Sequence, residues 1–122
     1  MAFPSLGQVA LCVADIERAK AFYVDVIGLT HLFDAGPKLC FLDAGGVRIM
    51  LSPPEGAGAP GANSVLYYRV ADVDQVHSNA VRAGAVDAGA PHKIAQMPDH
   101  ELWMAFVKDP DGNLVGLMEE RR

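Results

Sequence analysis

The sequence predicts an α+β domain of two tandem βαβββ modules that curl into a half-open, barrel-like cup with the helices outside. Three observations predict it. The chain repeats itself, each repeat opens with a strand running into a capped amphipathic helix, and three further strand signals follow each helix. The 122 residues suit one domain, 1–122, with a first module 1–53, a linker 54–63 and a second module 64–122. A half of about 60 residues buries too little surface to be secure alone, so the two must lean on each other.

The repeat is read from VADIERAKAFYVDVIG (13–28) against VADVDQVHSNAVRAG (70–84). In each copy an apolar run ends in Val-Ala-Asp, the Asp is suited to cap a helix N-terminus, and a Gly stands where the helix must stop in a left-handed turn. The first helix repeats apolar groups at Ile16, Ala19, Tyr23, Val26 and Ile27, the second at Val73, Val76, Ala80 and Val81, so each has one face to bury. Strand signals follow at 31–34, 39–43 and 47–52, then at 92–96, 101–107 and 113–118. Gly45-Gly46 and Asp109-Pro110-Asp111-Gly112 supply the turns, and Pro98-Asp99 closes a hairpin in which Met97 faces His100, Gln96 faces Glu101 and His92 faces Ala105. The Pro-, Gly- and Ala-rich stretch between the modules reads as a surface crossing.

Composition removes several classes of function. Hydrophobic residues make up 51% and charged residues 20%, the balance of a packed globular protein. The net charge is -5 and no Lys/Arg run occurs, which speaks against nucleic acid as a partner. No basic leader and no apolar stretch of membrane-spanning length is seen, so a cytoplasmic protein without a membrane partner is expected. Cys12 and Cys40, both inside apolar runs and without Cys-x-x-Cys spacing, read as buried reduced thiols.

The duplication, Ala21-Phe22-Tyr23 followed by Ile27-Gly28-Leu29, the paired Val-Ala-Asp and the closing FVKDPDGNLVGLMEE together resemble the glyoxalase/bleomycin-resistance/extradiol-dioxygenase superfamily, also called vicinal oxygen chelate proteins. The resemblance covers essentially the whole chain. It implies a small-molecule site inside the cup, a common homodimeric state, and metal ligands on the first and fourth strands of each half. Carried over, those ligand positions are Gln8, Met50, Val65 and Gly116, of which only Gln8 offers an oxygen or nitrogen donor. Glu119 has the wrong parity to replace Gly116, and Glu120 stands roughly 13 Å further along the strand. The usual metal site looks dismantled, and no cofactor is expected.

Strand alternation directs Gln8, Arg48, Met50, Tyr67 and Arg69 into the cup, and Trp103 joins them as an aromatic candidate for a planar or anionic ligand. Phe41 and Phe106 read as core, and His31 and His77 as surface residues. The leading expectation is therefore a metal-independent small-molecule binder related to bleomycin-resistance proteins. The alternative is a glyoxalase I-like lyase, an epimerase or a ring-cleaving dioxygenase. That enzyme would hold a divalent metal at a displaced site, with Gln8 joined by His92, His100 or Glu101 as catalytic candidates. A ligand-free structural or regulatory dimer is the third possibility.

Overall fold

In the computed structural model, which describes residues 4–54 and 59–122, Asp15 and Asp72 cap the two helices as their positions require. Each carboxylate accepts the backbone N–H three residues on, from Arg18 at 3.2 Å and from Gln75 at 3.1 Å. Helix α1 (Ile16–Ala21) continues as a π-helical segment, Phe22–Ile27, and α2 is Val73–Arg82. The first repeat is one residue longer between its capping Asp and its stopping Gly. The wider π turn takes up that residue, the Gly28 N–H donating to the Tyr23 carbonyl five residues back at 3.1 Å. Gly28 (φ 96°) and Gly84 (φ 105°) end the helices in the left-handed region, where a side chain would be strained.

The chain divides into two units, Met1–Gly61 and Ala62–Arg122, each built around a four-stranded sheet. The first holds β1 (Gln8–Cys12), β2 (Thr30–Asp34), β3 (Cys40–Ala44) and β4 (Val47–Ser52) in the order β1-β4-β3-β2. The second holds β5 (Leu66–Arg69), β6 (Val86–Gln96), β7 (Glu101–Lys108) and β8 (Leu114–Arg121) in the order β5-β8-β7-β6. In both, the first and last strands pair in parallel and the other pairs are antiparallel. This is the βαβββ order expected of each module. Part of the expected linker, residues 55–58, lies outside the described residues.

Each sheet buries its helix-covered face. In the first unit Leu11, Val13, Cys40, Leu42, Ile49 and Leu51 are buried together with Ala19, Phe22 and Tyr23, and Cys12 and Cys40 are both buried and outside any disulfide. In the second, Ala105, Val107, Val115 and Leu117 are buried with Val73, His77 and Ala80 of α2. His77, expected at the surface, is only 8% exposed. It follows Val73 by one turn and precedes Ala80 by three residues, which places it in the inward stripe. Its Nε2 meets the Asp87 carboxylate of β6 at 3.0 Å.

Strand β6 departs most from expectation. It begins at Val86 rather than His92 and carries three register irregularities against β7. One of them leaves Ile94 without a partner between the pairs Lys93–Trp103 and Ala95–Leu102, so His92 stands opposite Met104 and not Ala105. Nearer the turn the expected register holds, with Gln96 opposite Glu101 and the Met97 N–H donating to the His100 carbonyl at 2.8 Å.

The Asp109–Asn113 turn is closed by its own side chains. Asp109 Oδ1 accepts the N–H groups of Asp111 and Asn113, each at 2.9 Å, and its other oxygen accepts the Asn113 amide at 2.9 Å. Asn113 Oδ1 in turn accepts the Asn63 amide at 2.8 Å, which ties the start of the second unit to this turn. Among the described residues no helix is long and apolar enough to cross a membrane.

Replacing Asp109 by Ala strands several buried donors and should lower stability by about 1–3 kcal/mol in urea unfolding. The His77 hydrogen bond, followed by the Gly89 N–H, holds the Asp87 carboxyl below its usual 3.8. A depressed carboxyl stabilises the fold above its unfolded-state pKa, and that contribution disappears as pH falls through the folded-state value. The melting temperature of the parent protein should therefore fall more between pH 5 and pH 3 than that of Asp87→Asn.

Candidate ligand-binding faces

Because side chains alternate along a strand, each sheet has an open face opposite the one its helix covers, and the register decides which candidates share it. In the first unit β1 and β4 set Gln8 beside Arg48 and Ala10 beside Met50, while Phe41 of β3 stands across from Met50. Gln8 Oε1 accepts from Arg48 Nε at 2.8 Å, and the Gln8 amide nitrogen lies 3.7 Å from the Met50 sulfur. The Arg48 guanidinium stands 5.4 Å from the centre of the Phe41 ring, which stacks on Phe33 at 4.6 Å. Among the described residues no carboxylate lies within ion-pair distance of Arg48 or Arg69. The result is an exposed cation above an aromatic platform.

Phe33 was not singled out from the sequence. A bulge between His31 and Phe33 resets the alternation of β2, so the face of each of its residues cannot be counted from the residues alone.

In the second unit Tyr67 pairs with Gly116, Arg69 with Met118, and Phe106 also stands opposite Gly116. The Tyr67 and Phe106 rings meet edge to face at 5.8 Å. A Cβ on Gly116 would lie 2.5 Å from Tyr67 Cδ2, so the tyrosine ring fills the space into which a side chain at 116 would project. Val65 lies just before β5 and is 37% exposed.

The positions carried over as metal ligands therefore do not fit a cation that takes oxygen and nitrogen ligands. Gln8 commits its oxygen to Arg48, Met50 supplies only a thioether, Val65 has no donor, and Gly116 is covered by a ring.

The other candidates stand elsewhere. Trp103 shares the parity of the buried Ala105 and Val107, which puts it on the helix-covered face and across the sheet from Tyr67. Its indole N–H donates to Glu101 at 2.9 Å, and the Arg121 guanidinium covers its ring at 4.0 Å. Arg121 is held by Glu119 at 2.9 Å and by Asp74 of α2. The Trp103 hydrogen bond, then the Lys93 charge, keep the Glu101 carboxyl below its usual range. His100 Nδ1 meets Asp99 at 2.7 Å, and His92 Nδ1 lies 2.9 Å from the Ala90 carbonyl. His100 and Glu101 flank a cleft of about 480 Å³ at the β6–β7 hairpin, lined also by Gln96 and Arg121.

Among the described residues, the group of three potential metal donors is a different one: His31, Asp34 and Cys40, whose ligand atoms lie within 4.8 Å of one another. Burial, and then the hydrogen bond to Asp34, push the Cys40 thiol up to about 11.

The family model described as Glyoxalase/Bleomycin resistance protein/Dioxygenase superfamily matches residues 5–117. No curated protein matches the chain. Among solved structures, TnmS3, an antibiotic binding protein from Streptomyces sp. CB03234, is 26% identical, with 98% of each chain covered and a TM-score of 0.77. TioX from Micromonospora sp. ML1 is 24% identical over 95% of this chain and 98% of its own, with a TM-score of 0.76. Lactoylglutathione lyase from Agrobacterium tumefaciens is 21% identical over 97% and 95%, with a TM-score of 0.74.

Gly116→Ala should force the Tyr67 ring aside and lower stability by about 1 kcal/mol. In a Tyr67→Ala background the same substitution should cost less than half as much. Equal costs in the two backgrounds, measured as a double-mutant cycle, would show that the ring does not occupy this space.

Proposed function

Because the chain belongs to the Glyoxalase/Bleomycin resistance protein/Dioxygenase superfamily, we propose that it is a metal-independent small-molecule binder of the antibiotic-sequestering kind. Its ligand is planar and anionic and is contacted by Gln8, Arg48 and Met50 on the open face of the first sheet, while Tyr67 and Arg69 offer a ligand face of their own on the second sheet. The observation that carries this reading is the Arg48 guanidinium held by Gln8 over the Phe33–Phe41 stack, with no carboxylate among the described residues to neutralise it. A flat ring can lie against such a platform while a carboxylate or phenolate on its rim meets the guanidinium. TnmS3, 26% identical over 98% of both chains, is described as antibiotic binding, and this supports the same class of ligand here.

The chemistry asked of these residues is recognition without bond making. Gln8 aims Arg48, whose remaining N–H groups can donate to two ligand oxygens, and Met50 offers a soft, adaptable surface. Tyr67 presents a half-exposed ring over Gly116. The metal-dependent lyase or dioxygenase alternative would need His92, His100 or Glu101. Each of these has a partner within its own module, which favours binding over turnover. We further propose a cytoplasmic location and a homodimer, the exposed apolar side chains Leu32, Val86 and Ile94 supporting the dimer.

A thermal-shift screen of planar aromatic antibiotics, in matched anionic and neutral forms, tests the reading. A true ligand at 100 times its dissociation constant should add about 2.7 kcal/mol to stability. Arg48→Met should weaken the anionic form about tenfold and leave the neutral form unchanged. Equal effects on both forms, or turnover that depends on a metal held by Gln8, would overturn the proposal.

A further inference from the structure

The open faces leave one chemically pointed group unused, on the helix-covered side of the first sheet. Asp34 and Cys40 are direct cross-strand partners on β2 and β3, so their side chains leave the sheet on the same side. His31 precedes Asp34 by three residues, and in a regular strand an odd separation would put the two on opposite faces. The bulge between His31 and Phe33 inserts the extra step that brings His31 round to the face of Asp34. His31 Nε2 then lies 2.9 Å from Asp34 Oδ1, and all three ligand atoms fall within 4.8 Å of one another.

We propose that His31, Asp34 and Cys40 form a binding site for a thiophilic divalent cation of the zinc type. An imidazole nitrogen, a carboxylate oxygen and a thiolate are the donor types that zinc takes at about 2.0–2.3 Å, and three of them leave a fourth tetrahedral position for water. Carboxylate and thiolate together match the charge of a divalent ion, and the thiol gives up its proton on binding. Access and anchoring are divided among the ligands. The His31 and Asp34 side chains are 32% and 48% exposed, which gives an ion a way in, while Cys40 is buried at the base. Lys20 and Glu17 of α1 act electrostatically on Cys40 with opposite sign, the lysine more strongly, and Lys20 also reaches Asp34.

This site does not overlap the proposed ligand face, because Cys40 and its neighbour Phe41 point to opposite sides of β3. It is also distinct from the positions carried over from the family, since none of its three ligands stands on a first or fourth strand.

Cobalt(II) titration of the reduced full-length protein is the test. One equivalent should bind, with a thiolate-to-cobalt charge-transfer band in the near ultraviolet that zinc abolishes by displacement. Cys40→Ser should remove the band. His31→Ala and Asp34→Asn, which alter half-exposed side chains, should weaken cobalt at least tenfold with an unchanged circular dichroism spectrum. Cys12→Ser should retain the band. No band in the parent protein, a band that survives Cys40→Ser, or a band lost with Cys12→Ser would each overturn the proposal. Gln8→Ala should leave cobalt affinity unchanged, and an effect there would assign the ion to the opposite face.

Discussion

In both units the last strand returns to lie parallel to the first, and the proposed chemistry depends on that return. Gln8 meets Arg48 across 40 residues of chain, and Tyr67 covers Gly116 because β5 and β8 are in register. Closing loops of this length costs conformational entropy, but the cost grows only with the logarithm of loop length. Burial of Leu11 and Leu51 in the first unit, and of Val115 and Leu117 in the second, offsets it, at roughly 1.5–3 kcal/mol for each fully buried side chain. Each open face is thus assembled from residues that no local segment contains.

Much of this arrangement is legible in the sequence, because it follows from two periodicities and a few backbone-specific residues. Asp15 and Asp72 announce helix starts, Gly28 and Gly84 announce their ends, and alternation along β1, β4 and β8 predicts which side chains share a face. What escapes is what breaks the period. A bulge has no residue signature of its own, so the pairing of His92, the orientation of Phe33 and the convergence of His31 on Asp34 cannot be counted from the chain. Trp103 illustrates another limit: an aromatic residue in a strand looks equally suited to a ligand or to a neighbour, and here its ring is already covered by Arg121.

The contrast between two arginines explains why one is assigned a ligand. Arg121 is shared between Glu119 and Asp74 and stands 4.0 Å from the centre of the Trp103 ring, so its charge is neutralised within the second unit. The same Glu119 accepts the Val73 N–H at 2.8 Å, satisfying a backbone donor at the start of α2. This group straps helix to sheet. Arg48 has a neutral amide and an aromatic face instead, partners that orient a guanidinium without neutralising it. The first arrangement serves cohesion and the second leaves charge available for recognition.

The π-helical turn at Phe22–Ile27 bears on how two copies of one module can diverge. An added residue within a strand inverts every side chain beyond it and exchanges the interior of a sheet for its exterior unless a bulge absorbs it, as in β2 and β6. Housed in a helix, the same addition costs one loosened turn and leaves the strands downstream undisturbed. Duplicated modules of this kind can therefore vary in length along their helices while each sheet keeps a stable assignment of inside and outside, which leaves the open face free to acquire new ligands.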